Sequence, residues 1–130
     1  MDVPIDIADA IQEALNAAGH NACAPPLPDG FEDSLPMTRV TGLGGPRSSR
    51  VVDTFNVHLD TWADTPAGAL AEAGEVVGLL AGMAGGLLGG SQCYRVDIGS
   101  LPHEDEDPDH PDLPMASAMA QVSVRARHTG

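Results

Sequence analysis

The sequence predicts an α+β domain: a two-layer sandwich with two helices packed on one mixed, mainly antiparallel sheet of about four strands. Three observations carry this. Residues 115–127 alternate without a break, with Ala116, Ala118, Ala120, Val122, Val124 and Ala126 set against Ser117, Met119, Gln121, Ser123, Arg125 and Arg127. A second pair of alternating runs flanks the Gly-, Pro- and Ser-rich segment GLGGPRSSR. Two further segments repeat apolar residues every three or four positions, the helical period.

The elements follow in the order α-β-β-α-β-β. Residues 4–19 predict a helix, with Ile7, Ile11, Leu15 and Ala18 as its stripe, Asp6 and Asp9 at the positive end of its dipole and Gly19 as a stop. Residues 24–33 hold three prolines and a glycine and predict an extended loop. A first strand is expected over 36–42, followed by a protruding, flexible hairpin tip at 43–50. The second strand spans 51–63, with Phe55, Val57 and Leu59 facing the core and Thr54, Asn56, His58, Asp60 and Trp62 opposite. Thr65 and Pro66 suit the N-cap and first position of a second helix, whose stripe is Leu70, Ala73, Val77, Leu80 and Ala84. Gly68, Gly74, Gly78 and Gly82 recur along it, either for close helix packing or because small residues abound here. A third strand over 91–98 leads into an acidic, proline-containing loop at 99–114, and the strand 115–127 closes the chain. The 130 residues suit one domain, residues 1–130, without internal repeats.

Composition narrows the function. The formal charge is −13, from 19 acids against six bases, and all six bases are arginine. Phosphate-mediated nucleic-acid binding needs a cationic face, so this balance speaks against it and against anionic membranes. The most apolar stretch, 76–88, contains four glycines and falls short of the roughly 20 residues a membrane span needs. The N-terminus is acidic and polar from Asp2, so no secretion signal is expected. Cys23 and Cys93 lack CxxC spacing and suit ordinary reduced residues. With only four aromatics, the core is built largely from Ala, Val, Leu, Ile and Met, which makes stability gained by self-association plausible.

Motif by motif, catalysis finds no support. The chain has no Gly-x-Ser-x-Gly elbow and no catalytic-cysteine signature, so no catalytic or cofactor-binding residue is assigned and no cofactor is expected. HEDEDPDHPD (103–112) packs six carboxylates and two histidines into ten residues, but its spacing fits neither an EF-hand nor a complete zinc site. It is expected to be solvated or partner-facing, with weak cation binding as the lesser possibility, and no metal ligand is assigned. GLGGPRSSR lacks the Lys-Ser/Thr ending of a phosphate loop and joins two strands. Arg47 and Arg50 on this tip, with Arg125 and Arg127 on the last strand, are candidate partners for carboxylates of another chain, since the planar guanidinium suits such pairs. Glu104, Asp105, Glu106, Asp107, Asp109 and Asp112 are the complementary candidates; the alternative is charge placed only for solubility.

In order and pattern the chain resembles the tail terminator, or tail completion, proteins of long-tailed bacteriophages, especially those of actinobacterial hosts. The resemblance lies in LPMTRVTGLGG (35–45), VVDTFNVHLDTWADTPAGALAEAGEV (51–76), HPDLP (110–114) and the closing VRAR (124–127). It implies a structural virion protein of the tail or neck, assembled in the host cytoplasm. Such a protein forms a ring, usually a hexamer, on the last ring of the major tail tube protein. There it stops polymerisation and presents a surface to the head–tail connector, while DNA traverses the ring without specific binding. A head-closure or neck protein of the same virion is the near alternative. A small acidic cation-binding or regulatory module using residues 103–112 is the alternative of another class.

Overall fold

A computed structural model describes residues 4–126. Its class is α+β, but the sheet has six strands where about four are expected, and it curls into half of a barrel. The strands are β1 (Ala22–Cys23), β2 (Met37–Gly42), β3 (Val52–Trp62), β4 (Leu87–Leu88), β5 (Ser91–Asp105) and β6 (Met115–Arg125). Their spatial order is β1-β2-β3-β6-β5-β4. Only β1 runs parallel to its neighbour; the other pairs are antiparallel.

Helix α1 (Ile7–Ala17) starts where Asp6 accepts a hydrogen bond from the Asp9 amide at 3.1 Å, satisfying one of the free N–H groups of a helix N-terminus. It buries Ile7, Ala10, Ile11 and Leu15 and ends before Ala18, which is exposed rather than part of the stripe. Helix α2 (Pro66–Ala81) begins as expected, with Thr65 Oγ1 accepting from the Gly68 amide at 3.0 Å. Its buried face is Ala69, Ala73, Val76, Val77 and Leu80, one position off the expected stripe at Leu70, while Ala84 lies beyond the helix and exposed.

Both helices cover the same face of the sheet. α2 packs on β5, β6 and β3, and α1 packs on β2 and β1. The main core joins Ile11, Leu15, Val40, Val57, Leu59, Val76, Leu80, Val122 and Val124, all at most 2% exposed. Beneath the first turns of α2, Ala63 and Ala116 meet Ala69 and Ala73, and these small side chains let helix and sheet approach closely. Thr38 and Thr61 are buried here too, and their hydroxyls satisfy each other at 2.9 Å. A second, smaller core of Cys23, Phe31, Met37, Trp62 and Met115 lies at one end of the sheet.

Two expectations about loops are corrected. The stretch 99–105 is not loop, because β5 continues to Asp105 along β6 through three irregularities in register. The hairpin tip is not a loose protrusion. Residues 43–46 run back along β3, with Leu43 N to Asn56 O at 2.8 Å, Asn56 N to Gly44 O at 2.7 Å and Thr54 N to Pro46 O at 3.0 Å. Gly45 permits this: a Cβ there would stand 2.1 Å from the Thr54 carbonyl oxygen. Gly74 and Gly78 show the opposite, since a Cβ at either meets nothing within 4 Å. Their spacing therefore serves no close packing inside this chain.

Candidate assembly interface

With both helices on one face, the other face of the sheet carries the second core at one end and polar side chains beyond it. Thr54, Asn56, His58 and Asp60 of β3 lie beside Ser123, Gln121, Met119 and Ser117 of β6, and Arg95, Asp97, Ser100, His103 and Asp105 of β5 continue the row. Cross-strand hydrogen bonds lace it: the hydroxyls of Thr54 and Ser123 lie 3.0 Å apart, and Gln121 Nε2 donates to Asn56 Oδ1 at 3.1 Å. Asp60, only 4% exposed, anchors a denser knot. Arg39 Nη2 donates to it at 2.8 Å, His58 Nε2 lies 3.2 Å away, and Ser117 Oγ lies 2.7 Å from Asp60 and 3.0 Å from Asp105. The single Ser117 proton serves one carboxylate at a time. Ser117 thus faces carboxylates, and His58 faces Asp60, so these three groups do not form the nucleophile–base contact that triad chemistry needs.

The acidic segment is built onto the second core. Phe31 packs edge-on against Trp62, centroids 5.6 Å apart, and against the His110 ring at 4.9 Å. The Arg39 guanidinium lies 5.0 Å over Trp62. His110 bonds Asp107 at 2.8 Å, and the Asp109 amide donates to Asp107 at 3.0 Å. Burial pushes the Asp107 carboxyl up, yet the His110 hydrogen bond, the Asp109 amide and the charges of His110 and Arg39 outweigh it, leaving it below the usual carboxylate range. Asp105 is also held low, first by the Glu106 amide and then by the Ser117 hydroxyl. These acids are partly committed to their own loop. Glu104, Glu106, Asp109 and Asp112 are exposed.

At the opposite end of the strands stand the arginines. Arg47 Nε and Nη2 grip the buried Asp53 at 2.5 and 3.0 Å, so this guanidinium is engaged within its own chain. Arg50 and Arg125 are exposed, and the structure brings them to the same end, because Val52 pairs with Arg125. Arg127 lies outside the described residues. The acidic segment joins β5 to β6 where Met115 pairs with Trp62, at the far end of the 11-residue β3. Ten residue steps separate the two ends, about 33 Å of strand. Among the described residues the acidic and arginine candidates therefore do not meet within one chain.

Sequence reasoning missed a group of exposed apolar side chains: Leu87 (71% exposed), Leu101 (72%), Tyr94 and Met119. Three of them sit on β4 and β5, at the sheet edge, where β5 keeps backbone hydrogen bonds to residues 85–88 only as far as Cys93. Large apolar groups exposed along a sheet edge suit contact with another chain. No periodic signal marks them. Cys23 and Cys93 are buried free thiols, and burial raises both. Among the described residues no helix is long and apolar enough to cross a membrane. No family model matches the chain, and no curated protein matches it.

Proposed function

We propose that this chain assembles head to tail into a ring, a hexamer in the expected form, that caps the tail tube of a long-tailed bacteriophage. The ring halts tube growth and offers the surface that joins the tail to the head connector. Polarity of charge along the strands carries the proposal: Arg50 and Arg125 at one end, Glu104, Glu106, Asp109 and Asp112 at the other. Heterologous contacts need two different, complementary patches on each subunit, and patches set apart in this way meet only between copies. The ordered likeness of residues 35–45 and 51–76 to tail terminators supports the same reading, since those segments form the adjacent strands β2 and β3 and the helix that follows. The acidic surplus keeps DNA from adhering as it passes.

Native mass spectrometry with negative-stain microscopy, alone and with purified tail tubes, tests this. The expected outcome is a hexamer, free or on tube ends, weakened by salt and by Arg50→Glu with Arg125→Glu. A strict monomer that also leaves tubes uncapped overturns it. Binding to the connector with no affinity for tubes points instead to a neck or head-closure protein.

A further inference from the structure

Away from the sheet's open face, the end of α1 and the middle of α2 bring together one imidazole and two carboxylates. Gly19, at φ +94°, turns the chain out of α1, and the His20 amide then bonds the Leu15 carbonyl at 3.0 Å, which fixes the backbone of His20 against the helix end. Its Nδ1 lies 2.9 Å from Glu72 Oε1, with the two side chains 16% and 12% exposed. Glu75, three residues further along α2, shares that helix face. One ligand atom from each of His20, Glu72 and Glu75 falls within 4.8 Å of the others, the one such grouping of three among the described residues.

We propose that these three residues bind a divalent transition-metal ion of the zinc class. With neutral imidazole the three groups carry two negative charges, which a divalent cation cancels. Among the described residues nothing else does so: Glu72 has only the imidazole, and Glu75 forms no ion pair. Two like charges at this helical spacing repel. One nitrogen and two carboxylate oxygens suit zinc, whereas calcium and magnesium favour all-oxygen sets. Metal bonds of about 2.0–2.1 Å in tetrahedral geometry place ligand atoms roughly 3.4 Å apart. His20 and Glu72 are already that close, and the exposed Glu75 side chain closes the remaining gap by rotation about its own torsions. The metal takes the place of the proton between His20 and Glu72. The imidazole then carries its single N–H on Nε2, and any second proton it held passes to solvent. Water fills the fourth position. The ion would clasp the turn after α1 to α2, whatever the chain assembles with.

The test uses untagged, chelator-stripped full-length protein, titrated with Zn2+ by calorimetry and with Co2+ by visible absorption. One ion per chain at about micromolar affinity is expected, with a Co2+ ligand-field band and a raised thermal midpoint in Zn2+. Glu75→Gln, at an exposed position that does not endanger folding, should weaken binding by at least the 10–100-fold that a lost outer-shell partner costs. His20→Ala should abolish the Co2+ band. Asp107→Asn with Asp109→Asn should leave affinity unchanged. Affinity weaker than about 0.1 mM, affinity unaltered in Glu75→Gln, or binding lost in the Asp107/Asp109 variant instead, overturns the proposal.

Discussion

Phe31 is the side chain that ties the acidic segment to the sheet, and Phe31→Ala measures how firmly. It is 3% exposed and touches both Trp62 and His110 through ring edges. Removing the ring forfeits about 2 kcal/mol of apolar transfer and about 1 kcal/mol of edge-to-face contact with Trp62. The sum, about 3 kcal/mol, sits at the low end for Phe→Ala, as expected where a surface loop can settle into part of the space. The protein supplies its own probe, since Trp62 is the only tryptophan and is fully buried beside Phe31. In urea, with a slope near 1.5 kcal/mol/M, the fluorescence midpoint should fall by about 2 M. Tyr94→Ala, 46% exposed, should stay within about 0.5 kcal/mol of the parent. A loss below about 1 kcal/mol for Phe31→Ala, or equal losses for the two variants, would refute the anchoring role.

Three other outcomes follow from the same geometry. Gly74→Ala and Gly78→Ala place a methyl group in open space on α2 and should each stabilise the isolated chain by up to about 1 kcal/mol, measured by urea unfolding. Gly45→Ala should do the reverse, by about 2 kcal/mol, because its Cβ collides with backbone at Thr54, and faster amide exchange at Thr54 and Asn56 would show the hairpin detaching. The Asp107 carboxyl is held below its usual 3.8, so its contribution is complete above that value and is lost as pH falls through the lower folded value. Urea midpoints of the parent and Asp107→Asn should accordingly differ at about pH 6 and converge as pH falls below the lowered folded value.

How much of this was legible follows from how local each signal is. In sequence β6 alternates over its whole length and β3 nearly so; the burial alternates with them only away from the second core, because Asp60, Trp62, Met115 and Ser117 are buried on the face opposite the helices. Thr65 and Pro66 announce α2 because capping chemistry is confined to neighbouring residues. β1 and β4 are two residues each, and only pairing with β2 and β5 makes them strands. The alternation of β5 is legible only to residue 98, because the register shifts at Ile98/Ser100 and Ser100/His103 interrupt the pattern that marks a strand. Pro102 falls within the last of these, where a proline is tolerated. His20 and Glu72 lie 52 residues apart, so no spacing rule joins them.

The charged candidates stood in the sequence as two lists, with nothing to say whether they neutralise each other within one chain. Strand register answers that. Val52 pairs with Arg125 and Trp62 with Met115, so β3 and β6 hold the arginine tip and the acidic segment apart along their full length. Arg39 and Arg47 sit among the acids and the tip respectively, but Asp60 and Asp53 already hold them. Arg50 and Arg125 are left exposed at one end and four carboxylates at the other. A pairing between those groups therefore joins two copies. Because the groups are exposed, each such pair is worth at most about 1 kcal/mol. Charge would then set the direction and register of a contact whose strength must come from apolar area, and the exposed apolar side chains that could supply it are Leu87, Tyr94 and Leu101 on β4 and β5, with Leu43 and Val51 beside the arginine tip.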